Sequence, residues 1–423
     1  MIVQRDAQPE SPRLHVSFLG REYTGARGSK SYTITSTLTN LYDGWTLDLP
    51  IVDGLVNDEI PGLLVHRWIP GVLSMADPAV DASKAVPVLQ GVITRCEHHT
   101  SAEASVLRLS GFDLGKLLES CARPWLRLRG LTMGGVLDKL LDPSWRRQNR
   151  KDGWGFQGIR GLNGNRITKL GRNISGGRAQ VQINLGAAFG TLIPPIQTEV
   201  GERVGDIVSR YARLTGITAS TGSFVNVSAD GFIQVFNPDD TKDDEPLYVF
   251  NYHNGQENTR IKSGSLIQDG EDLYSEYWCY SSIIQPPQAL AANRQENFNA
   301  GRFRAINNDN ADLLGPPAAP IFRRLTFGDP EQYEKKFAQA RADWRKRQSL
   351  YREKAVKFVV QGHSWAGPNK APIPIVEGNI AEVNSDRLKV FERMIIESVV
   401  KRQSPDRGTE TEITLHPRGL LAA

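Results

Sequence analysis

The sequence predicts a β-rich α+β fold with more than one domain. The 423 residues exceed what one ordinary hydrophobic core accommodates. The chain contains 39 glycines and 24 prolines, which indicates many turns, and 39% apolar and 23% charged residues, a balance typical of globular proteins. Short runs that alternate apolar with polar residues recur along the chain, and such runs are typical of β-strands with one buried face.

The first strand-rich region begins at Tyr32. Trp45, Leu47 and Leu49 alternate with polar residues after a turn at Asp43-Gly44, so one face of this strand is expected to be buried. Residues 63–69, 86–96 and 105–109 add strand candidates, and together these strands would close a small barrel or sandwich. Helical spacing then begins and stops at two prolines, and it is carried by Leu114, Leu117, Leu118, Cys121, Val136, Leu137, Leu140 and Leu141.

Residues 145–180 form an insertion that is rich in Gly, Asn and Arg and has little periodicity. It contains nine basic residues against Asp152 alone, a net charge of +8, whereas the whole chain carries only +4. Such a cluster can bind nucleic-acid phosphates, dock on an acidic neighbouring protein or remain a solvated loop. Two aromatic residues among the charges favour the protein interface. The predicted partner-interface residues are Arg146, Arg147, Arg150, Lys151, Trp154 and Phe156.

A helix followed by a β-hairpin is predicted within residues 200–238. Two alternating runs, 224–227 and 232–236, flank Asp230-Gly231, which tolerates the positive φ of a tight turn. Gly216 is placed for a left-handed helix cap, after apolar residues at helical spacing, namely Val204, Ile207, Val208, Tyr211 and Leu214. This unit contains no nucleophile, metal cluster or phosphate loop, so it is predicted to be a structural core.

Residues 285–320 are irregular and rich in Pro and Asn, which is typical of a long linker. A helix is predicted to open at Asp329-Pro330 with an acidic first turn. Basic and acidic residues interleave on its polar face, so it is predicted to be an exposed protein helix and not a membrane-surface helix. Its apolar face is assigned to Tyr333, Phe337, Ala340, Trp344 and Tyr351.

The residue types that carry chemistry are scattered. The three cysteines, Cys96, Cys121 and Cys279, form no CxxC pair, and His98 and His99 are adjacent, so their rings would point to opposite faces of a strand. Neither His253 nor His363 is expected to form a site. No serine lies in a G-x-S-x-G elbow. Together these observations predict that the protein is not an enzyme and binds no metal and no cofactor. The first residues lack a signal-peptide pattern, which predicts a cytosolic site of synthesis.

Several segments resemble baseplate hub proteins of phage tails, the Mu-like family and its relatives, and they follow one another along the chain in the order that the family has. Residues 201–217 with the following Asp-Gly hairpin resemble the middle segment of these hubs. Residues 89–94 with 106–113 resemble the paired strands that enter a helix, and residues 272–277 resemble a strand that returns to the first barrel. The C-terminal block 356–417 keeps the order of the family through residues 360–362, Trp365, 368–369, 394–400 and 409–415. The resemblance covers roughly two thirds of the chain.

The resemblance implies two small β-barrel domains of the tail-tube type and a mixed α/β domain. The expected divisions are 1–110 as the first barrel, completed by return strands at about 251–284; 111–250 as the mixed domain with insertion 145–180; 285–328 as an irregular linker; and 329–423 as a helix and the second barrel.

The resemblance also implies a function without bond chemistry. Hubs of this family form a homotrimeric ring that adapts the six-fold tail tube to a three-fold spike. The implied partners are further copies of the chain, the central spike, tube or tube-initiator proteins and other baseplate proteins, with DNA at most passing transiently through the channel. The implied location is the virion tail baseplate, assembled in the host cytoplasm. The alternatives are a tail-associated cell-wall hydrolase of glycosidase type, whose two acids can be far apart in sequence, and a carbohydrate-binding tail protein.

Overall fold

A computed structural model of the chain defines a β-rich protein with three described helices. The residues that it describes are 13–18, 21–22, 31–50, 69–76, 86–100, 105–120, 127–128, 131–132, 135–136, 140, 168–169, 172–173, 180–184, 196–198, 200–218, 224–227, 232–236, 246–253, 260–281, 302–306, 321–329, 335–366 and 372–418.

The N-terminal strands enclose one apolar core. Buried residues alternate along them, as at Trp45, Leu47 and Leu49, which confirms the predicted inward face of that strand. The core draws side chains from six strands. The strands are β1 (Arg13–Phe18), β2 (Arg21–Glu22), β3 (Ser31–Thr37), β4 (Gly44–Pro50), β5 (Ile69–Ala76), β6 (Val86–Thr100) and β7 (Ser105–Asp113).

The middle of the chain contains the predicted helix and hairpin. The helix buries Val204, Ile207, Val208 and Tyr211, which confirms these four residues of the predicted face, whereas the side chain of Leu214 lies outside the described residues. The helix runs two residues past Gly216. The two hairpin strands pair antiparallel. The elements are α1 (Gly115–Ser120), β8 (Arg127–Leu128), β9 (Thr168–Lys169), β10 (Arg172–Asn173), β11 (Gln180–Asn184), β12 (Ile196–Gln197), α2 (Val204–Thr218), β13 (Phe224–Val227) and β14 (Phe232–Phe236).

The C-terminal strands enclose a second core, which is built on Tyr248, Phe250 and Phe358 and their neighbours. The elements are β15 (Tyr248–Asn251), β16 (Ile261–Gln268), β17 (Glu276–Ser281), β18 (Arg302–Ile306), β19 (Arg324–Asp329), α3 (Lys335–Glu353), β20 (Lys354–Gln361), β21 (Ser364–Ala366), β22 (Pro372–Pro374), β23 (Ile380–Ser385), β24 (Val390–Ser404) and β25 (Gly408–Pro417).

The two strand-rich regions are joined in one 13-stranded sheet. Its main path is β16-β20-β25-β24-β3-β4-β7-β6-β5-β1-β2, and β23 and β15 branch from β24. Two separate barrels were expected, but the described strands form this continuous sheet and no closed barrel. The join is the antiparallel pairing of β24 with β3, from Ser398 opposite Thr37 to Gln403 opposite Tyr32. We call this join the seam.

Strand partners differ from the sequence prediction after residue 250. Strands at about 251–284 were expected to return to the first barrel, but β16 in this range pairs with β20 of the C-terminal region. The strand at Glu276–Ser281 instead lies between β18 and β19 and packs against α3. Strands β18 and β19 therefore occupy part of the segment expected to be an irregular linker. An alternating pattern identifies a strand and its buried face, but any free edge can supply its partner.

Candidate functional site

The predicted interface residues lie outside the described residues. Their role in binding a neighbouring chain therefore stays a prediction. They are Arg146, Arg147, Arg150, Lys151, Trp154 and Phe156.

The seam contains a buried chain of polar side chains centred on His363. The imidazole Nε2 lies 2.7 Å from the Tyr32 hydroxyl, and Nδ1 lies 2.7 Å from the Thr411 hydroxyl. The Thr411 hydroxyl donates its proton to the Gly362 carbonyl oxygen at 2.6 Å, so it accepts from Nδ1–H. The ring is therefore the neutral Nδ1–H tautomer, with Nε2 accepting from Tyr32. Sequence analysis did not predict that His363 is buried, and the structure gives it these hydrogen bonds inside the protein.

Burial sets the protonation states of the hydrogen-bonded side chains His363 and Tyr32. It lowers the pKa of His363 to about 3, and the positive charge of Lys401 acts in the same direction. Burial also raises the pKa of the Tyr32 hydroxyl. Both groups are therefore neutral at neutral pH, and a neutral hydrogen-bonded pair is much cheaper to bury than a charged one.

A buried lysine lies on the same side of the seam. Lys401 on β24 is only 1% exposed, and burial lowers its pKa, whereas the carboxylates of Glu377 and Asp43 oppose that shift. The sequence contains a signal for it, because Lys401 occupies an inward position of the alternating strand, two residues after buried Val399.

Two acids meet next to the seam at the end of β7. Asp43 Oδ1 accepts from the Thr37 amide at 2.8 Å, and Asp113 Oδ1 accepts from the Gly115 amide at 2.8 Å. Burial raises the pKa of both carboxyl groups, and the charges of Asp113 and Glu377 raise it further at Asp43. Asp113 is only 2% exposed, so a saccharide cannot reach it. The arrangement fits a structural role in the turn that joins β7 to α1.

A polar cleft of about 520 Å³ lies over one end of the seam. Its arginines already contact carboxylates: Arg108 Nε lies 2.8 Å from Asp48, and Arg402 lies 3.1 Å from Glu412. Such paired charges have less affinity to offer an anionic ligand. Within the described ranges no group of three or more His, Cys, Asp or Glu side chains is placed to hold a metal ion. Among the helices the structure describes, none is both long and apolar enough to cross a membrane.

The strands on the two sides of the seam repeat the same arrangement. We define the N-terminal unit as β1, β3, β4, β5, β6 and β7, and the C-terminal unit as β15, β16, β20, β23, β24 and β25. In the sheet, the strands of the N-terminal unit are neighbours in the order β1-β5-β6-β7-β4-β3, and those of the C-terminal unit in the order β15-β23-β24-β25-β20-β16. Strands at the same place in these two orders also come at the same place along the chain, so they correspond. Each unit has its own core.

Details of the two units agree as well. The corresponding strands β6 and β24 are both 15 residues long, and each has a bulge near its middle, after Ile93 and after Ile396. One difference is that β1 pairs antiparallel with β5, whereas β15 pairs parallel with β23. The chain thus contains two units with the same strand order, which differ in the direction of their first strand, although their sequences show no visible repeat.

The comparisons with known proteins agree on the fold. No protein-family model matches the chain, and no curated protein matches it either. A tail protein from Neisseria meningitidis MC58 is similar in structure, with a TM-score of 0.68 and 16% identity over 97% of this chain and 98% of that one. The 43 kDa tail protein of prophage MuSo2 from Shewanella oneidensis gives a TM-score of 0.67 and 14% identity over 98% of this chain and 100% of that one.

A more distant likeness is to a chain of the lidded PdpA–VgrG complex from Francisella. It has a TM-score of 0.52 and 9% identity, and it covers 96% of this chain but 52% of the other. The chain therefore has the fold of phage-type tail proteins, built from two units with the same strand order.

Proposed function

We propose that the chain is a structural baseplate hub of a phage tail, which forms a homotrimeric ring and adapts a six-fold tail tube to a three-fold spike. The observation that carries the proposal is the internal repetition across the seam. A subunit with two equivalent units lets three copies present six similar surfaces, while the ring keeps true three-fold symmetry. Few other closed arrangements match both a six-fold tail tube and a three-fold spike.

The seam supplies the stiffness that such a ring requires. Six antiparallel residue pairs join the units, and the buried hydrogen bonds of Tyr32, His363 and Thr411 lie behind them. Two units joined in this way keep a constant angle to each other, which a ring needs if all six surfaces are to match.

The similar structures support a tail role. Two of them are tail proteins that match almost the full length of this chain, and a third belongs to a complex containing VgrG and a second protein, PdpA. The proposed partners are a spike, tube or tube-initiator proteins and other baseplate proteins, and the proposed location is the virion tail baseplate, assembled in the host cytoplasm. DNA would pass through the channel only transiently. The proposed role requires no catalysis.

The experiment is a mass measurement coupled to imaging. Light scattering on the purified chain should give three times its 46.9 kDa mass. Electron-microscopy averages should show a ring with six similar lobes around a central opening. A chain that stays monomeric at micromolar concentration, or a trimer whose averages show three lobes and no ring, contradicts the proposal.

A further inference from the structure

An exposed arginine with two aromatic neighbours lies at the start of β19. The guanidinium carbon of Arg324 lies 5.2 Å from the ring centroid of Trp278 and 5.4 Å from that of Phe322. Its Nε donates to Oε2 of Glu276 at 2.8 Å, and the indole Nε1 of Trp278 donates to the same oxygen at 2.8 Å. We call these four side chains the arginine cluster.

The cluster fixes the guanidinium before any ligand arrives. Glu276 is only 4% exposed, so its carboxylate is an anchor inside the protein, whereas the Arg324 side chain remains 47% exposed. The bond to Glu276 uses Nε, and within the described residues no hydrogen bond uses the two terminal amino groups of Arg324. A planar guanidinium held in this way is preorganised to bind a carboxylate or a phosphate through two parallel hydrogen bonds.

Exposed apolar side chains adjoin the cluster. Phe322 is 47% exposed, and its neighbour Ile321 is 56% exposed. Aromatic residues and arginine are enriched in protein interfaces, and arginine is common among the residues that contribute most to binding. The combination therefore indicates a surface that gains from burying an apolar side chain beside an anion.

Strand β19 has a free edge next to the cluster. It pairs in parallel with β17 and, among the strands that the structure describes, with no other. The Glu276 amide donates to the Arg323 carbonyl oxygen, so the main chain of Arg323 faces β17 and that of the next residue, Arg324, faces the other edge. The six residues of β19 contain no proline, which would protect the edge. An extended segment can therefore add to it.

The directions of the side chains specify what such a segment must carry. Phe322, Arg324 and Thr326 are exposed, whereas Leu325 packs against the core cluster that contains Tyr277. Alternate residues of an extended chain share a face, so the Phe322 ring and the guanidinium lie on one face, two residues apart. A segment laid along this edge meets them with side chains that are likewise two residues apart.

The surface fits an acidic peptide better than a nucleic-acid strand. Single-stranded bases bind by stacking on aromatic rings, but Arg324 already covers one face of Trp278 and of Phe322. The aliphatic side chain of Ile321 offers no ring for a base, whereas it suits an apolar side chain. The free edge of β19 offers main-chain hydrogen bonds in the pattern that a polypeptide strand matches.

We propose that β19 and the arginine cluster bind an extended segment of another protein that carries a carboxylate and an apolar side chain two residues apart. The segment adds as a strand to the free edge of β19. Its carboxylate binds the two terminal amino groups of Arg324, and its apolar side chain packs against Phe322. This inference goes beyond the proposed hub function, because the surface belongs to one copy of the chain and needs no ring.

Fluorescence anisotropy with a defined peptide tests the proposal on the purified full chain. The probe is a fluorescein-labelled octapeptide, Thr-Asp-Thr-Leu repeated twice, which places its aspartates and leucines on one face of a strand in either direction. We expect saturable binding. Arg324→Ala and Phe322→Ser should each weaken it by about tenfold or more. Arg407→Ala is the matched control, because it removes the same charge from an exposed side chain of the polar cleft, and it should change binding by less than about twofold.

Two further comparisons separate the contact from the fold and from simple charge. Arg324→Lys keeps a cation beside Glu276 but lacks the planar fork, so it should stay folded by circular dichroism and still bind about tenfold more weakly. A second peptide of the same composition, Thr-Thr-Asp-Leu repeated twice, places neighbouring aspartate and leucine on opposite faces. It should also bind about tenfold more weakly than the first.

Each contrary outcome refutes a stated part of the proposal. No saturable binding of the first peptide refutes the site. Equal weakening by Arg324→Ala and Arg407→Ala shows attraction to net charge alone and refutes the role of the cluster. Equal binding of the two peptides refutes the strand addition. An eight-nucleotide oligothymidine that binds more tightly than the first peptide, and loses affinity in Arg324→Ala, refutes the peptide and assigns the surface to nucleic acid.

Discussion

The buried imidazole of His363 predicts a specific loss of stability in mild acid. Its pKa is lowered from about 6.5 to about 3 in the fold. Between these two values the unfolded chain binds a proton that the folded chain does not. The stabilising contribution of the neutral ring is therefore complete above pH 6.5 and is lost as the pH falls below it.

The magnitude follows from the distance to the unfolded pKa. At pH 5 the solution is about 1.5 units below that pKa, and each unit corresponds to about 1.4 kcal/mol. We therefore expect His363 to account for about 2 kcal/mol of lost unfolding free energy between pH 7.5 and pH 5. The loss should be visible against the total, because one or two kcal/mol is a large fraction of the stability of a domain.

The assay is denaturant unfolding of the wild type and His363→Gln at pH 7.5, 6 and 5. A glutamine amide can donate to Thr411 and accept from Tyr32, but it does not titrate in this range. The difference between wild type and variant should shrink by about 2 kcal/mol on acidification. Tyr32→Phe is the matched control, because it removes a hydrogen bond but leaves His363 buried, so its pH dependence should follow the wild type. Parallel pH profiles for wild type and His363→Gln would refute the buried neutral imidazole.

Three further predictions concern the rest of the chain. Ile207→Ala on α2 should cost about 2 to 5 kcal/mol in unfolding free energy because Ile207 is fully buried, whereas exposed Ser209→Ala should cost less than about 0.5; equal costs would mean that the helix face is misassigned. Gly111→Ala should severely reduce soluble, folded protein, because its Cβ would lie 1.9 Å from the Val92 carbonyl oxygen; wild-type thermal stability would contradict that packing. Reversal of Arg146, Arg147, Arg150 and Lys151 to Glu should preserve the circular dichroism spectrum but weaken assembly in light scattering, and unchanged assembly would show that the segment is a solvated loop.

Local structure was predictable from the sequence where one pattern persists over several turns or strands. The helix of α2 and the hairpin after it were predicted with the buried residues Ile207 and Tyr211, because helical spacing directly states which side chains share a face. The pattern was less decisive on α3. There the buried residues include Ala342 and Ser349, whereas the predicted residues Ala340 and Trp344 are only half-buried, because small residues decide how closely a helix approaches a sheet.

The sequence by itself determined part of the local structure of this protein: the strand at Trp45 to Leu49 with its buried face, and the helix and hairpin of the middle region. Only the tertiary structure decided which strands are neighbours. An alternating strand has a defined face but two equivalent edges, so no local signal states that β16 pairs with β20 or that β24 pairs with β3. The buried positions of His363 and Lys401 follow from that pairing, because each lies at the seam only when distant parts of the chain meet there. The repetition of the two units is equally a property of strand order and not of residues, since many sequences can satisfy one arrangement of buried faces.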